Sequence, residues 1–363
     1  MTICLIGKNL TSLVLSKIFV NKGINVDLYY SNNKTNKMKS TLSRTIGLSN
    51  DSVNFLESYK ILNKKDCWNI KQIKLYKENE PCSFLNFKPD KNSFSIISYN
   101  VLNESLETKL KKNKRIKIKK ITYKGFYTKL LKKNYEIIII TDTNNFLFKK
   151  YFAKQFKKNY NSTAFTTIIN HSKIQNNIAE QYFTRFGPLA FLPISNNQTS
   201  VVFSIFDKDL IKDKLKIKNL IEQYNRHYKI KNISTLQEFP INLFLSRNYF
   251  YKNILSFGDA LHKVHPLAGQ GFNMTVRDTK ILIDLIDKNL ALGLNLDTIL
   301  EKFEIERKNP NFLFAMGIDF LHEFFKVTNK YKLKNVDYIF KYLNKNTFLK
   351  KKIEKFADKG FIF

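Results

Sequence analysis

Between residues 254 and 273 the chain reads Ile-Leu-Ser-Phe-Gly-Asp-Ala-Leu-His-Lys-Val-His-Pro-Leu-Ala-Gly-Gln-Gly-Phe-Asn, an order of residue types that few folds can use. Ile254 to Phe257 has the apolar content of a buried strand, and Gly258 at its end lets backbone approach a ligand. Asp259 supplies a carboxylate suited to ligand hydroxyls, and Pro266 fixes a turn. Gly269 and Gly271 leave room for a flat ring on the main chain, ahead of Gln270, Phe272 and Asn273. A helix starting near Phe272 would aim its positive end at that ring, so negative charge on the ring would be stabilised. The competing reading is a loop whose glycines only turn the chain and whose histidines are ordinary surface residues. His262 and His265 do not make a metal pair, because no third ligand sits near them in sequence.

Elsewhere the pattern alternates strands and helices. Thr2 to Ile6 is a short apolar run ending at Gly7, Leu10 to Phe19 has helical spacing, and Val26 to Tyr30 reads as a second strand. This is the opening βαβ pattern of a nucleotide-binding fold. Ser31 to Lys39 is polar and loop-like. A helix is expected over Ser52 to Tyr59, then an inserted antiparallel sheet over Trp68 to Ser98, then a helix from Leu102 to Lys112. Tyr135 to Ile140 has the β-branched content of a strand buried on both faces. Thr163 to Ile169, Leu189 to Pro193 and Ser200 to Phe206 are strand candidates belonging with the inserted sheet, and after Gly271 the chain is mostly helical.

The turn after the first strand, Gly7-Lys8-Asn9-Leu10-Thr11-Ser12, stands where G-x-G-x-x-G would cradle a pyrophosphate, with only the first glycine present. Asn9 tolerates left-handed dihedrals and Ser12 is small, so both remain candidates beside Gly7. The ribose-binding acid expected at the end of the second strand is missing, with Tyr30 near that position and Asp27 too early.

With 43% hydrophobic and 14% aromatic residues among 363, the net charge of +32 does not signal disorder. It implies attraction to polyanions or anionic membranes, or a lysine-rich solvated surface. Cys4, Cys67 and Cys82 are widely separated, as in a reducing compartment. No run reaches the roughly 18 apolar residues of a membrane span, so a cytoplasmic protein, soluble or peripheral to the inner membrane, is expected. The run Lys109 to Lys117 lacks glycine or aromatic interleaving, which argues for a solvated face and against nucleic acid. The C-terminal segment interleaves Val336, Ile339, Phe340, Leu343, Leu349, Ile353 and Phe356 with lysines, a pattern open to lying on anionic lipid or to packing on its own protein.

The string from Gly258 to Asn273 resembles the GDAAH-x-x-HP-x-x-GQG-x-N motif of the ubiquinone-biosynthesis hydroxylase family of FAD-dependent aromatic monooxygenases, in the p-hydroxybenzoate hydroxylase fold group, and Arg277-Asp278 continues the match. Ser43 to Ser49 resembles the family's GRTIALS segment, which implies a flavin contact for Arg44, and the helix after Tyr99 implies that Asn103 faces the cofactor. Phe183-Thr184 with Gly187 to Pro193 resembles a segment bordering the substrate cavity, and Glu306-Arg307 with Asn309 resembles a later ER-x-x-N stretch. The family's DG-x-x-S-x-x-R motif, tied to FAD and nicotinamide nucleotide, is reduced to Asp142 and Lys149.

The resemblance implies an α/β fold, p-hydroxybenzoate hydroxylase-like: a Rossmann-like FAD-binding domain (1–66, 99–158 and 251–300), an inserted antiparallel β-sheet substrate domain (67–98 and 159–250) and a helical C-terminus (301–363). It implies FAD as cofactor, NAD(P)H as reductant, and hydroxylation of a prenylated phenol or quinol by O2 through a flavin C4a-hydroperoxide. The cofactor set it implies is Gly7, Asn9, Ser12, Arg44, Asn103, Gly258, Asp259, Pro266, Gly269, Gln270, Gly271, Phe272 and Asn273. No catalytic residue follows beyond His265, a candidate by position and equally readable as structural. Other quinone-biosynthesis enzymes are the implied partners. The alternative is a catalytically degenerate flavin-binding scaffold of such a complex.

Overall fold

A computed structural model describes residues 1–31, 44–78, 80–88, 94–122, 125–206, 213–266, 269–293, 297–331 and 342–360. The expected loop to Lys39, Leu267, Ala268 and the segment around Val336 to Phe340 lie outside the described residues. In chain order the elements begin with β1 (Thr2–Ile6), α1 (Leu10–Asn21), β2 (Asn25–Ser31), β3 (Thr45–Ser49), α2 (Asn50–Ser58), β4 (Trp68–Ile70), β5 (Gln72–Lys77), β6 (Leu85–Phe87), β7 (Phe94–Ser98) and α3 (Tyr99–Lys111). There follow β8 (Ile116–Ile121), α4 (Phe126–Leu131), β9 (Ile137–Ile140), α5 (Phe146–Tyr151), β10 (Gln155–His171), β11 (Ile178–Thr184), β12 (Gly187–Pro193), β13 (Gln198–Ile205) and α6 (Lys214–Tyr224). The last are β14 (Ile230–Ile233), β15 (Gln237–Ser246), β16 (Phe250–Tyr251), β17 (Ile254–Ser256), β18 (His262–Lys263), α7 (Gln270–Ala291), α8 (Asp297–Tyr331) and α9 (Thr347–Lys359).

One sheet runs β16-β17-β9-β1-β2-β8 and is parallel from β17 to β8. Its centre is set by composition. Ile137 to Ile140 are all buried, so β9 has no face that tolerates water and can sit only between neighbours. Leu13, Ile18 and Phe19 of α1, Leu106 and Leu110 of α3 and Leu282 and Ile286 of α7 close the core on one face of that sheet.

A larger sheet runs β18-β15-β10-β13-β12-β11-β5-β6, with β14 added to β10. Two features differ from the sequence reading. The stretch from 67 to 98 is divided: β5 and β6 join the large sheet, while β7 pairs with β3 on one side and β4 on the other in a three-stranded sheet. The expected antiparallel sheet also contains a parallel join, β11 on β5, from Ile178 against Gln72 to Phe183 against Lys77. Long-range pairing of this kind leaves no local signal, since each strand alternates alike whichever direction its neighbour runs. Lys109 of the basic run donates to the carbonyl oxygens of Lys60 and Ile61 beyond the end of α2.

Gly187 has φ +132° at the start of β12, and a Cβ there would overlap the carbonyl oxygen of Ser204. Gly23 also has positive φ, but a Cβ would meet nothing within 4 Å. Gly187→Ala is therefore expected to lower unfolding free energy by about 3 kcal/mol and Gly23→Ala by about 1 kcal/mol, measured by urea denaturation. Equal losses would contradict the assigned contact.

Candidate cofactor and substrate site

The C-terminal edge of β1 faces the start of α1. Gly7 sits there at φ +118°, where a Cβ would lie 2.5 Å from Thr141 Oγ1 and 3.1 Å from Asp142 Cβ. Only glycine lets the turn after β9 approach so closely. The helix end is closed by its own side chains. Asn9 Oδ1 accepts from the Ser12 N–H at 3.1 Å, Ser12 Oγ accepts from the Asn9 N–H at 3.1 Å, and Asn9 Nδ2 donates to the Thr141 carbonyl at 3.0 Å. The Tyr99 phenol engages the Leu10 backbone. Asn9 and Ser12 thus form a capping pair, in place of the open phosphate cradle that two further glycines would leave. Asp142 and Asn145 likewise serve their own turn, accepting from the N–H groups of Asn144 and Leu147.

Gly258 meets a different neighbour from the ligand suggested by sequence. At φ +60° its missing Cβ would lie 2.8 Å from Thr11 Cγ2, so the glycine is required by the packing of this strand end on α1. Asp259, next in the 3-10 turn Gly258–Ala260, is exposed with no hydrogen bond among the described residues. The Arg44 guanidinium lies 4.6 Å over the Tyr99 ring. Burial raises the Tyr99 pKa, with Arg44 pulling it down and Asp259 pushing it up, which puts all three within electrostatic reach of each other.

The ring-side loop is held by backbone contact. Gly269, at φ +63°, is the N-cap of α7, and a Cβ there would lie 3.3 Å from Gly47 Cα. Asn273 fastens the contact: Nδ2 donates to the carbonyls of Gly47 at 3.0 Å and Gly269 at 3.2 Å, and Oδ1 accepts from the Ser49 N–H at 3.0 Å. Its amide is fully used as a staple. A Cβ on Gly271 would meet nothing nearer than 3.9 Å, so the room expected above the loop is at Gly271 and not at Gly269. Gln270 is buried with Oε1 lacking a partner, Phe272 is half-buried and Pro266 exposed. Asn103 donates to Glu107 at 3.3 Å, and Glu107 pairs with Lys8 at 3.2 Å.

One turn further along α7, Asp278 is fully buried. It accepts from Arg307 Nε at 2.6 Å and from Asn311 Nδ2 at 3.0 Å, and His262 Nε2 lies 2.7 Å away. Burial pushes this carboxyl up, but Arg307 and His262 outweigh burial and hold it at about 2. Asn311 is the asparagine of this stretch that reaches the carboxylate, while Asn309 is exposed. His265, the catalytic candidate, is buried with both ring nitrogens unpartnered and lies 4.2 Å from the ring of His322 on α8. His322 and Tyr160 were missed in the sequence, because neither belongs to a local motif.

Residues 149–309 match the model of the FAD binding domain family. Over 151 residues the chain is 29% identical to the 3-demethoxyubiquinol 3-hydroxylase of Escherichia coli, covering 39% of this chain and 38% of that one. Over 175 residues it is 26% identical to the ubiquinone hydroxylase UbiL of Rhodospirillum rubrum, covering 46% and 41%. Across these matched stretches the chain is similar to FAD-dependent hydroxylases. Its aligned part spans well under half the length of either relative.

The fold is that of the p-hydroxybenzoate hydroxylase group. The p-nitrophenol 4-monooxygenase PnpA of Pseudomonas putida superposes with TM-score 0.77 at 12% identity, covering 99% of this chain and 98% of that one. Klebsiella pneumoniae HpxO, solved with FAD and uric acid, superposes with TM-score 0.74 at 11% identity, covering 99% and 96%.

FAD fits this site unevenly. On the ring side, the open backbone at Gly271, the orphaned Gln270 Oε1 and the free Asp259 carboxylate offer contacts. On the nucleotide side, the Asn9–Ser12 pair occupies amides that a pyrophosphate would use. Asn9→Gly frees the Ser12 N–H at a cost of a few tenths of a kcal/mol in helix capping and is expected to tighten FAD about fivefold, read by flavin fluorescence quenching. Unchanged or weaker binding would refute the competition.

Asp278 binds its partners as the anion, with a folded pKa of about 2 against an unfolded value of about 4, so the unfolded state takes up the proton first. Its contribution is complete above pH 4 and is lost as pH falls toward 2. Asp278→Asn is expected to cost about 3 kcal/mol at pH 7, and the gap from wild type should narrow as pH falls from about 4 toward 2 in chemical denaturation series.

Proposed function

We propose that this chain hydroxylates the ring of a prenylated phenol or quinol in ubiquinone biosynthesis, using FAD, NAD(P)H and O2. The observation that carries the reading is the stapled contact of Gly47 and Gly269, which holds the α7 N-terminus rigidly beside an open backbone surface at Gly271. FAD supplies the redox chemistry when bound, activating O2 for transfer of a hydroxyl group. The chain supplies the rest. Arg44 and Asp259 are placed to engage the polar parts of the cofactor, Gly271 admits the ring, and the α7 N-terminus favours negative charge there. Gly7, Asn9 and Ser12 line the nucleotide end, where the capping pair must yield to a pyrophosphate.

Ubiquinone precursors are named by the two hydroxylase relatives, and these names support the choice of substrate. The reading extends to a place on an anionic membrane surface, beside other quinone-biosynthesis enzymes. It is supported by the exposed side chains Phe312, Phe320, Leu321 and Val327 along α8, by Phe348 on α9, and by the net charge of +32. Among the described residues no helix is long and apolar enough to cross a membrane.

The test is the purified chain supplied with FAD, NADPH or NADH, a short-tailed 2-prenylphenol and 18O2. The expected result is phenol-dependent oxygen consumption with one 18O atom in the product, read by mass spectrometry. Flavin bands without phenol-dependent consumption under either reductant would replace the enzyme by a flavin-binding scaffold.

A further inference from the structure

His265 and His322 are each 1% exposed, and none of their four ring nitrogens has a hydrogen-bond partner among the described residues. Buried polar atoms are nearly always satisfied, so four orphans in one ring-to-ring contact mark a place where a polar partner belongs. The surrounding side chains cannot supply it. Tyr160 presents its ring edge-on to both imidazoles, at 5.5 Å and 4.6 Å, but its hydroxyl donates to Asp319 at 2.7 Å, which Lys158 also holds at 2.8 Å. Phe206 meets the His322 ring edge-on at 5.3 Å. The two imidazoles are therefore walled by aromatic rings, beside the loop that leads through Pro266 into α7.

Both rings are neutral near pH 7. Burial lowers the His322 pKa to about 4 and drives that of His265 well below the ordinary value, with His322 lowering it further. A neutral imidazole carries one N–H donor and one acceptor nitrogen. Two of them side by side match a group that both donates and accepts, such as a hydroxyl. The neighbouring rings of Tyr160 and Phe206 make the surroundings of that pair aromatic.

We propose that His265 and His322 form a clamp for a hydroxyl of the aromatic substrate, one imidazole accepting from it and the other donating to it. The proposal rests on the hydroxylase reading for its ligand class, and it assigns to α8 a specificity-determining residue.

The experiment uses the full chain loaded with FAD, with 2-octylphenol and octylbenzene as probes. His322→Phe keeps a ring against His265 and removes both nitrogens. It is expected to weaken 2-octylphenol binding about tenfold, octylbenzene binding far less, and FAD binding not at all. Equal loss for both probes, or none for the phenol, overturns the clamp. In wild-type protein labelled with 15N-histidine, the ring nitrogens of both residues are expected to shift on adding 2-octylphenol and to stay in place with octylbenzene. No shift, or the same shift with both, overturns it without recourse to a variant. Turnover separates the two readings. A phenol-responsive pair in a protein that forms no oxygenated product supports the clamp and removes the hydroxylase, whereas product formed with unchanged KM in His322→Phe removes the clamp and keeps the hydroxylase.

Discussion

The anchoring of α7 at two successive points governs the rest of the site. At its first turn, the Asn273 amide joins the carbonyls of Gly47 and Gly269 and the N–H of Ser49, so β3 and the helix start behave as one piece. Little more than one turn later, Asp278 gathers His262, Arg307 and Asn311 from three separate segments. Neither anchor could be spared cheaply. Removing the Asn273 amide would take a partner from the buried Ser49 N–H and Gly47 carbonyl, and removing Asp278 would leave a buried guanidinium without its carboxylate. Together they tie His262 and Gly269 to the same helix, which preorganises the backbone around Gly271 before anything binds.

The two halves of the cofactor site follow different physics because of this. On the ring side the Asn273 staple uses backbone groups of Gly47, Ser49 and Gly269, and Gln270 Oε1 and the Asp259 carboxylate are without partners among the described residues. The nucleotide half is satisfied from within. Asn9 and Ser12 close their own helix end, and Tyr99 reaches Leu10 from the neighbouring helix. A helix terminus with its amides already bonded gives up much of its attraction for phosphate, and binding there must repay the cap it displaces.

Much of this was legible in the residues, and the boundary of legibility is itself physical. The run Ile137 to Ile140 could be only a doubly covered strand, and Gly258 and Gly269 could be foreseen as special because both stand at strand or helix ends. What each glycine makes room for was not legible. Gly258 yields to Thr11 and Gly269 to Gly47, partners more than two hundred residues away in sequence. The parallel join of β11 to β5 and the choice of Asn311 over Asn309 were hidden for the same reason, since helix phase and strand direction are decided by tertiary packing. His322 is the sharpest case. It sits inside a long helix with no motif around it and gains meaning only from the ring 4.2 Å away.

The unpartnered polar atoms also bear on stability. Gln270 Oε1, the four nitrogens of His265 and His322, and the two terminal nitrogens of Arg277 all lie on α7, on α8 or on the loop that leads into α7. Arg277 rests its guanidinium 4.3 Å over Phe314, and burial lowers its pKa to about 10, so even this cation is held at some expense. A fold selected for stability alone would replace such groups with apolar ones of similar size. Their concentration, among the described residues, along α7, α8 and the segment before α7 is a cost that a stability-only core would not carry, and the anchors at Asn273 and Asp278 offset it.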